Sequence, residues 1–214
     1  MYGATLLRMS TQSAVQDSRA TRTLTLIAAV LVLIGDAGYV LIVATQGAYP
    51  PDAFTVPFLA GYWLVMAAML GLSVLDRPRL AKLRPALRAG AAAGLLVTGV
   101  LGLFSIGLPM VIAGALATGA AVRTLAGRDR RWAASIEALA AVVAVVVVVA
   151  GLEVTARVIL CPSRGVSGGS GYGLVSGAYH WQCVDGRLTF ASGLCSSQGG
   201  GVDANGHAFS ASNC

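Results

Sequence analysis

The residue best placed to do chemistry is an aspartate, Asp36, near the middle of the apolar segment Leu24–Val43. A carboxyl group in hydrocarbon costs about 2.5–3.5 kcal/mol on insertion scales, so it is expected to face other protein groups. Two interpretations are open: a proton or cation site, or a protonated or hydrogen-bonded carboxyl that fixes helix packing. Gly35 and Gly38 would let another helix come close. The candidate hydrogen-bond partners of the carboxyl group are Tyr39, Tyr62, Thr98 and Ser105.

Two glutamates lie within the last apolar segment, Trp132–Leu160. Glu137 is about one and a half turns inside this segment. We predict that it forms an interfacial ion pair with Arg130 or Arg131, and a transport site is the alternative. Glu153 lies at the other end, where we expect it to be solvated.

All four cysteines fall in the last 54 residues, at Cys161, Cys183, Cys195 and Cys214. The intervening stretches of 21, 11 and 18 residues contain no Cys-x-x-Cys pair, so structural disulfides are favoured over catalytic thiols. Three pairings are possible, and the nested one, Cys183–Cys195 with Cys161–Cys214, is preferred. Zinc bound by His180, Cys183, Cys195 and His207 is an alternative, although these residues lack the compact pairs of a zinc finger.

The composition indicates that these residues are positioned by a membrane protein. Of the 214 residues, 56% are hydrophobic and 11% are charged, against about 25% charged in a soluble domain. The apolar segments predict an all-α membrane bundle, residues 24–152, with five transmembrane helices at about 24–45, 53–75, 87–104, 108–126 and 132–152. The run Ala89–Ala126 is divided near Gly107 because a single helix of that length would span about 57 Å. The third helix is short, so it is expected to begin inside the arginine loop, with Arg88 reaching the interface by snorkelling.

The distribution of Lys and Arg predicts the orientation of the bundle. Residues 1–23 and the loops after the second and fourth apolar segments hold three, five and four of them, whereas the two remaining connections hold none. The positive-inside rule then places the N-terminal segment, residues 1–23, in the cytoplasm and the C-terminus outside a cell membrane. Disulfides persist in extracytoplasmic compartments, which leads to the same orientation.

The C-terminal segment, residues 153–214, is predicted to be a small β-rich module stapled by disulfides. Twelve glycines and nine serines lie between Cys161 and Cys214, and so polar a segment cannot bury a large core. Asp185-Gly186 between two apolar-rich stretches predicts a β-hairpin with a type I′ turn. Asn205-Gly206 marks a second candidate turn.

The function predicted from these features is that of a non-enzymatic accessory or interaction protein that presents the extracytoplasmic module. Its expected partners are the lipid bilayer and a membrane or envelope protein, and a homo-oligomer is possible. No cofactor, metal or nucleic acid is expected. The alternatives are a small oligomeric transporter or channel that uses Asp36, and an enzyme at the outer interface that uses Glu153, His180 or Asp203. The excess of Arg over Lys is typical of a GC-rich genome and favours a bacterial source.

Overall fold

The computed structural model describes residues 19–45, 54–77, 80–81, 83–103, 107–125, 130–192, 197–202 and 208–212. The helices within these ranges are α1 (Arg19–Thr45), α2 (Thr55–Val74), α3 (Arg84–Leu101), α4 (Gly107–Leu125) and α5 (Arg130–Thr155). The strands are β1 (Val166–Gly173), β2 (Gly177–Val184), β3 (Arg187–Ser192), β4 (Ser197–Val202) and β5 (Ala208–Ser212). The chain divides into two compact units, Met1–Gly47 with Leu59–Val148, and Ala48–Phe58 with Val149–Cys214.

Four of these helices are long and apolar enough to cross a membrane: α1, α2, α4 over Gly107–Thr124, and α5 over Ala134–Thr155. Large apolar side chains such as Ile34, Leu41 and Leu139 remain exposed on them, as expected of surfaces in contact with lipid. The prediction of five spans is therefore corrected to four candidate spans in the described chain. Helix α3 differs from the others because its 18 residues include two arginines and three glycines.

Helix α3 is nevertheless well enclosed by the bundle, since ten of its 18 residues are buried. It runs antiparallel to α4, because the end of α3 meets the start of α4. A methyl group at Gly99 would lie 2.7 Å from the backbone nitrogen of Val111. The N–H of Gly107 donates to the carbonyl oxygen of Gly102 at 2.7 Å. The predicted division of the long apolar run near Gly107 is confirmed.

Two glycines four residues apart in α3, Gly90 and Gly94, set close approaches between helices. A methyl group at Gly90 would lie 3.0 Å from Cε of Met69 in α2 and 3.3 Å from the carbonyl oxygen of Ala140 in α5. At Gly94 it would overlap the hydroxyl of Tyr62. Small residues of this kind let helix backbones come together in a membrane.

The sheet β1–β2–β3 is antiparallel, and β4 pairs antiparallel with β5. The predicted first hairpin is confirmed, since Asp185 and Gly186 link β2 to β3 with φ values of 43° and 80°, as a type I′ turn requires. Asn205-Gly206 lies outside the described residues, between the paired strands β4 and β5. Strand β1 is not evident from the sequence, because Gly and Ser have low strand propensity.

Candidate functional site

Asp36 is buried in α1 on the stripe of residues that faces the other helices. Only 6% of the residue is exposed, and its Oδ1 atom has no hydrogen-bond partner in the described chain. A methyl group at the adjacent Gly35 would lie 2.7 Å from Cε of Met110, so α4 is close on that side, whereas Gly38 has open space around it. The expected close approach of a helix therefore holds at Gly35 and is wrong at Gly38. An ionised carboxylate whose oxygen lacks a hydrogen-bond partner is costly inside a bundle, so this group is expected to be protonated or to bind a cation.

Three side chains on three helices contact one another in series, beginning with Tyr39, three residues after Asp36. The ring of Tyr39 meets the ring of Trp63 edge-on at 5.2 Å. The indole Nε1 of Trp63 donates to the hydroxyl of Thr98 at 3.2 Å, and that hydroxyl donates to the carbonyl of Gly94 at 2.9 Å. Residues three apart share a helix face, so Asp36 and Tyr39 face the same part of the bundle.

Two of the hydroxyl groups expected to hydrogen-bond Asp36, those of Tyr62 and Thr98, have other partners. The hydroxyl of Tyr62 donates to the carbonyl oxygen of Ala144 at 2.9 Å, which joins α2 to α5. The hydroxyl of Thr98 is used by Trp63 and by its own helix. Ser105 lies outside the described residues. The structure therefore brings Tyr39 near the level of Asp36 and leaves Oδ1 without a donor among the residues it describes.

A second buried polar group is Arg88 in α3, which the sequence does not mark as an interior residue. None of its surface is exposed. Its Nε lies 3.3 Å from the hydroxyl oxygen of Ser73 and its Nη2 lies 3.4 Å from the carbonyl oxygen of the same residue. The expectation that Arg88 snorkels to the interface is wrong, because α3 begins at Arg84, so that Arg88 falls in the second turn on its buried face. Pro85, next to the start of α3, is the signal that could have revealed this, since proline favours the first turn of a helix.

Glu137 is also buried, with 7% of its surface exposed. The side chains of Arg130 and Arg131 lie outside the described part of the structure, so the predicted ion pair with either of them stays a prediction. The contact of Gly90 with Ala140 brings α3 against α5 close to this glutamate. Glu137 therefore lies in a helix that packs against α3, which carries the buried Arg88, and in its own sequence it follows Arg130 and Arg131.

At the rim of the bundle, Asp76 joins the start of α1 to the start of α3. Its Oδ1 accepts from Nη2 of Arg22 at 2.5 Å and from Nη2 of Arg84 at 3.0 Å. Arg84 also donates to the carbonyl oxygen of Leu75 at 2.6 Å. The hydrogen bond from Arg22, followed by that from Arg84 and their positive charges, lowers the pKa of Asp76 below its ordinary value of 3.8.

In the tail, the structure joins Cys161 to Cys183, with their Cα atoms 5.5 Å apart. This pairing overturns the nested prediction of Cys183–Cys195 and Cys161–Cys214. The strand register explains why: Leu188 lies opposite Cys183 and Ser192 lies opposite Tyr179, so the chain has moved away from Cys183 before it reaches Cys195. Cys195 and Cys214 lie outside the described residues. The zinc alternative does not fit this arrangement, because Cys183 is already in a disulfide. The side chain of His180 also lies on the face of β2 opposite to that of Cys183.

One side of the sheet is here called the inner face, and it carries Tyr179, Trp181, Cys183, Leu188 and Phe190. The hydroxyl of Tyr179 donates to the carbonyl oxygen of Ala156 at 2.8 Å, and Cys183 is bonded to Cys161, so the chain that leaves α5 runs along this face. Gly169 and Gly171 in β1 lie beneath the rings of Trp181 and Tyr179. The glycines of β1 therefore make room for aromatic rings that substitute for missing side chains.

Glu153 fixes the β1–β2 turn to the last turn of α5. Its Oε2 accepts from the N–H of Val175 at 3.3 Å, Ser176 also donates to the carboxylate, and its Oε1 lies 3.0 Å from Nη2 of Arg157. The expectation of a merely solvated Glu153 is wrong, because the tail folds back on it. His180 lies further along β2, and Asp203 is outside the described residues, so no combined site of these three residues is seen in the described chain.

Across the described ranges, no group of three or more His, Cys, Asp and Glu side chains is arranged to hold a metal ion. Comparisons with protein-family models, with curated proteins and with solved structures find no match for this chain.

Proposed function

We propose that this chain is a non-enzymatic accessory protein of the cell membrane that presents a rigid, extracytoplasmic β module to a membrane or envelope protein. The observation that carries the proposal is the attachment of the β1–β3 sheet to the end of α5. A disulfide, a tyrosine hydrogen bond and the Glu153 carboxylate all join the sheet to residues 153–161. A module held this firmly offers a partner a preorganised surface, which reduces the entropy cost of binding.

The surface offered to that partner is the face of the sheet opposite the inner face, here called the outer face. It carries Val166, His180, Gln182, Thr189 and Arg187. All of these except His180 are exposed. Polar and cationic groups mixed with an apolar residue are typical of a transient protein interface.

The extracytoplasmic placement of the module is supported by three observations. The cations of the chain cluster in residues 1–23 and in two loops, the module contains a disulfide, and α3 runs antiparallel to α4 inside the bundle. Helix α3 is not one of the four candidate spans, so this placement requires that α3 cross the membrane as a helix shielded by its neighbours, which does not need a lipid-facing apolar surface. The two termini then lie on opposite sides, and the disulfide lies in the oxidising compartment.

Crosslinking in the native membrane followed by affinity capture tests this function. The wild-type chain, a chain that lacks residues 163–214, and the double variant Gln182→Ala/Thr189→Ala on the outer face would be compared. We expect a protein that is captured by the wild type and lost with both variants. Equal capture of the same protein by the chain without its tail would refute the role of the module.

A second candidate function is favoured by the unpartnered Oδ1 of Asp36 in the described bundle. We propose that this carboxyl group binds a proton or a monovalent cation at mid-membrane, as the carboxyl groups of small transporters and channels do. Burial of the residue beside Tyr39 and the start of α4 supports this proposal.

Flux measurements in proteoliposomes test the second candidate. Asp36→Asn removes the ionisable group with little change of volume, and Asp76→Asn is the matched control at the rim. A pH-sensitive dye inside the vesicles should report proton entry with wild type and with Asp76→Asn, but not with Asp36→Asn. If Asp36→Asn supports the same proton and sodium flux as wild type, Asp36 serves packing only.

A further inference from the structure

The turn between β1 and β2 exposes three large apolar or aromatic side chains within four residues of a module that is rich in Gly and Ser. Tyr172 is 76% exposed, Leu174 47% and Val175 77%. These three residues are here called the hairpin tip. An exposed apolar cluster of this kind marks a surface that is covered in the working protein.

The hairpin tip is held beside the end of a candidate membrane span. Glu153, which accepts the N–H of Val175, belongs to the span Ala134–Thr155. A methyl group at Gly173 would lie 2.7 Å from both carboxylate oxygens of Glu153. The tip therefore lies at the level of the last turn of that helix.

The other end of the same hairpin lies further along the chain from α5. Tyr179 is bonded to Ala156, Cys183 to Cys161, and the N–H of Asp185 donates to the carbonyl oxygen of Gly165 at 3.0 Å. Strand β2 therefore runs beside the chain that leaves α5, in the same direction, from Tyr179 next to Ala156 to Cys183 next to Cys161. Val166, paired with Val184, is about 23 Å from Gly173 along β1.

We propose that the hairpin tip inserts into the outer leaflet of the bilayer, with Leu174 and Val175 among the lipid chains and the ring of Tyr172 at the headgroups. The occupant is lipid because the tip is bonded to Glu153 at the end of a candidate membrane span, where the next residue of the helix, Val154, is itself 62% exposed. Tyr is enriched at the membrane interface, where its ring and hydroxyl meet different surroundings. The choice of the outer leaflet rests on the extracytoplasmic placement proposed above.

In this arrangement Glu153 is a positioning residue. Its carboxylate receives the backbone N–H of Val175, which would otherwise enter the interface without a partner, and it pairs with Arg157 at the same time. Burial of an unsatisfied N–H group costs free energy in an apolar environment. The carboxylate therefore allows the turn to enter the interface.

Photocrosslinking to lipid tests the proposal on the full chain. A benzoylphenylalanine is placed at Val175, and separately at Val166, which is an equally apolar residue with 70% exposure at the far end of β1. Each protein is reconstituted in vesicles of phosphatidylcholine and phosphatidylglycerol that contain radiolabelled phosphatidylcholine. We expect labelled lipid to attach several-fold more to the Val175 probe than to the Val166 probe.

Equal labelling at the two positions, or crosslinking of the Val175 probe mainly to protein, would overturn the proposal. The variant Glu153→Ala in the Val175 probe background should reduce lipid labelling while non-reducing mass spectrometry still detects the Cys161–Cys183 bond. Undiminished labelling would show that Glu153 does not position the tip.

A separate measurement of sidedness distinguishes this proposal from the proposed function. A membrane-impermeant reductant applied to intact cells should reduce Cys161–Cys183 if the module is extracytoplasmic. A protected disulfide together with strong lipid labelling at Val175 would refute the outer placement. Reduction of the disulfide together with equal labelling of the two probes would refute lipid insertion alone.

Discussion

Removal of the Cys161–Cys183 disulfide should destabilise the β1–β3 sheet by an amount that the loop length sets. The bond closes a loop of sequence separation 22, which corresponds to about 3.4 kcal/mol of chain entropy in the unfolded state at room temperature. Since about 1.36 kcal/mol is a factor of ten, the opening equilibrium of the sheet should rise about 300-fold. The sheet is small, so the covalent bond supplies a large part of its stability.

Amide hydrogen exchange in detergent micelles measures this effect on the double variant Cys161→Ala/Cys183→Ala. The backbone N–H groups of β2 should lose about 300-fold in protection, or all measurable protection where the sheet's own stability is smaller than the loss. The matched control, Cys195→Ala/Cys214→Ala, keeps the Cys161–Cys183 bond and should keep the protection of β2. Unchanged protection of β2 in the first variant, or an equal loss in the control, would refute the loop-closure reasoning.

Three further predictions concern the bundle. Gly94→Leu should lower the free energy of unfolding in detergent by about 1–3 kcal/mol, because the new side chain overlaps α2. Gly38→Leu, which has open space around it, should leave the free energy of unfolding unchanged. Equal losses in the two variants would contradict the packing. Arg88→Gln should lower the free energy of unfolding by about 1–3 kcal/mol, because it removes the donor to the buried hydroxyl and carbonyl of Ser73. Arg84→Gln, at the rim, is the control and should cost less. Asp76→Asn should lower the thermal midpoint at neutral pH. The difference from wild type should disappear as the pH falls from the ordinary pKa of 3.8 through the lowered pKa of Asp76, because the stabilising carboxylate is then protonated. A difference that stays constant across pH would contradict the ion pairs.

The sequence predicts features that depend on neighbouring residues. Asp185-Gly186 determines a two-residue turn through backbone conformations that few other dipeptides adopt, and the hairpin follows. The break near Gly107 follows from helix length against membrane thickness. Apolar segments of span length identify the four candidate spans for the same reason.

Features that depend on distant contacts could not be predicted. The partner of Cys183 depends on the path of residues 156–165 along the inner face, and spacing alone does not determine that path. Strand β1 has poor intrinsic propensity and forms because rings from β2 cover its glycines. Charge alone predicts an interfacial Arg88, although the helix start at Arg84 buries it.

The corrected disulfide changes the mechanical character of the tail. In the nested pairing, Cys161–Cys214 would have closed the module on itself and left it on a tether after α5. With Cys161 bonded to Cys183, and with Glu153 and Ala156 also bonded to the hairpin, the β1–β3 sheet cannot rotate freely about the end of the helix. A displacement of the sheet is therefore transmitted to the end of α5, and one of the connections that transmit it is a covalent bond.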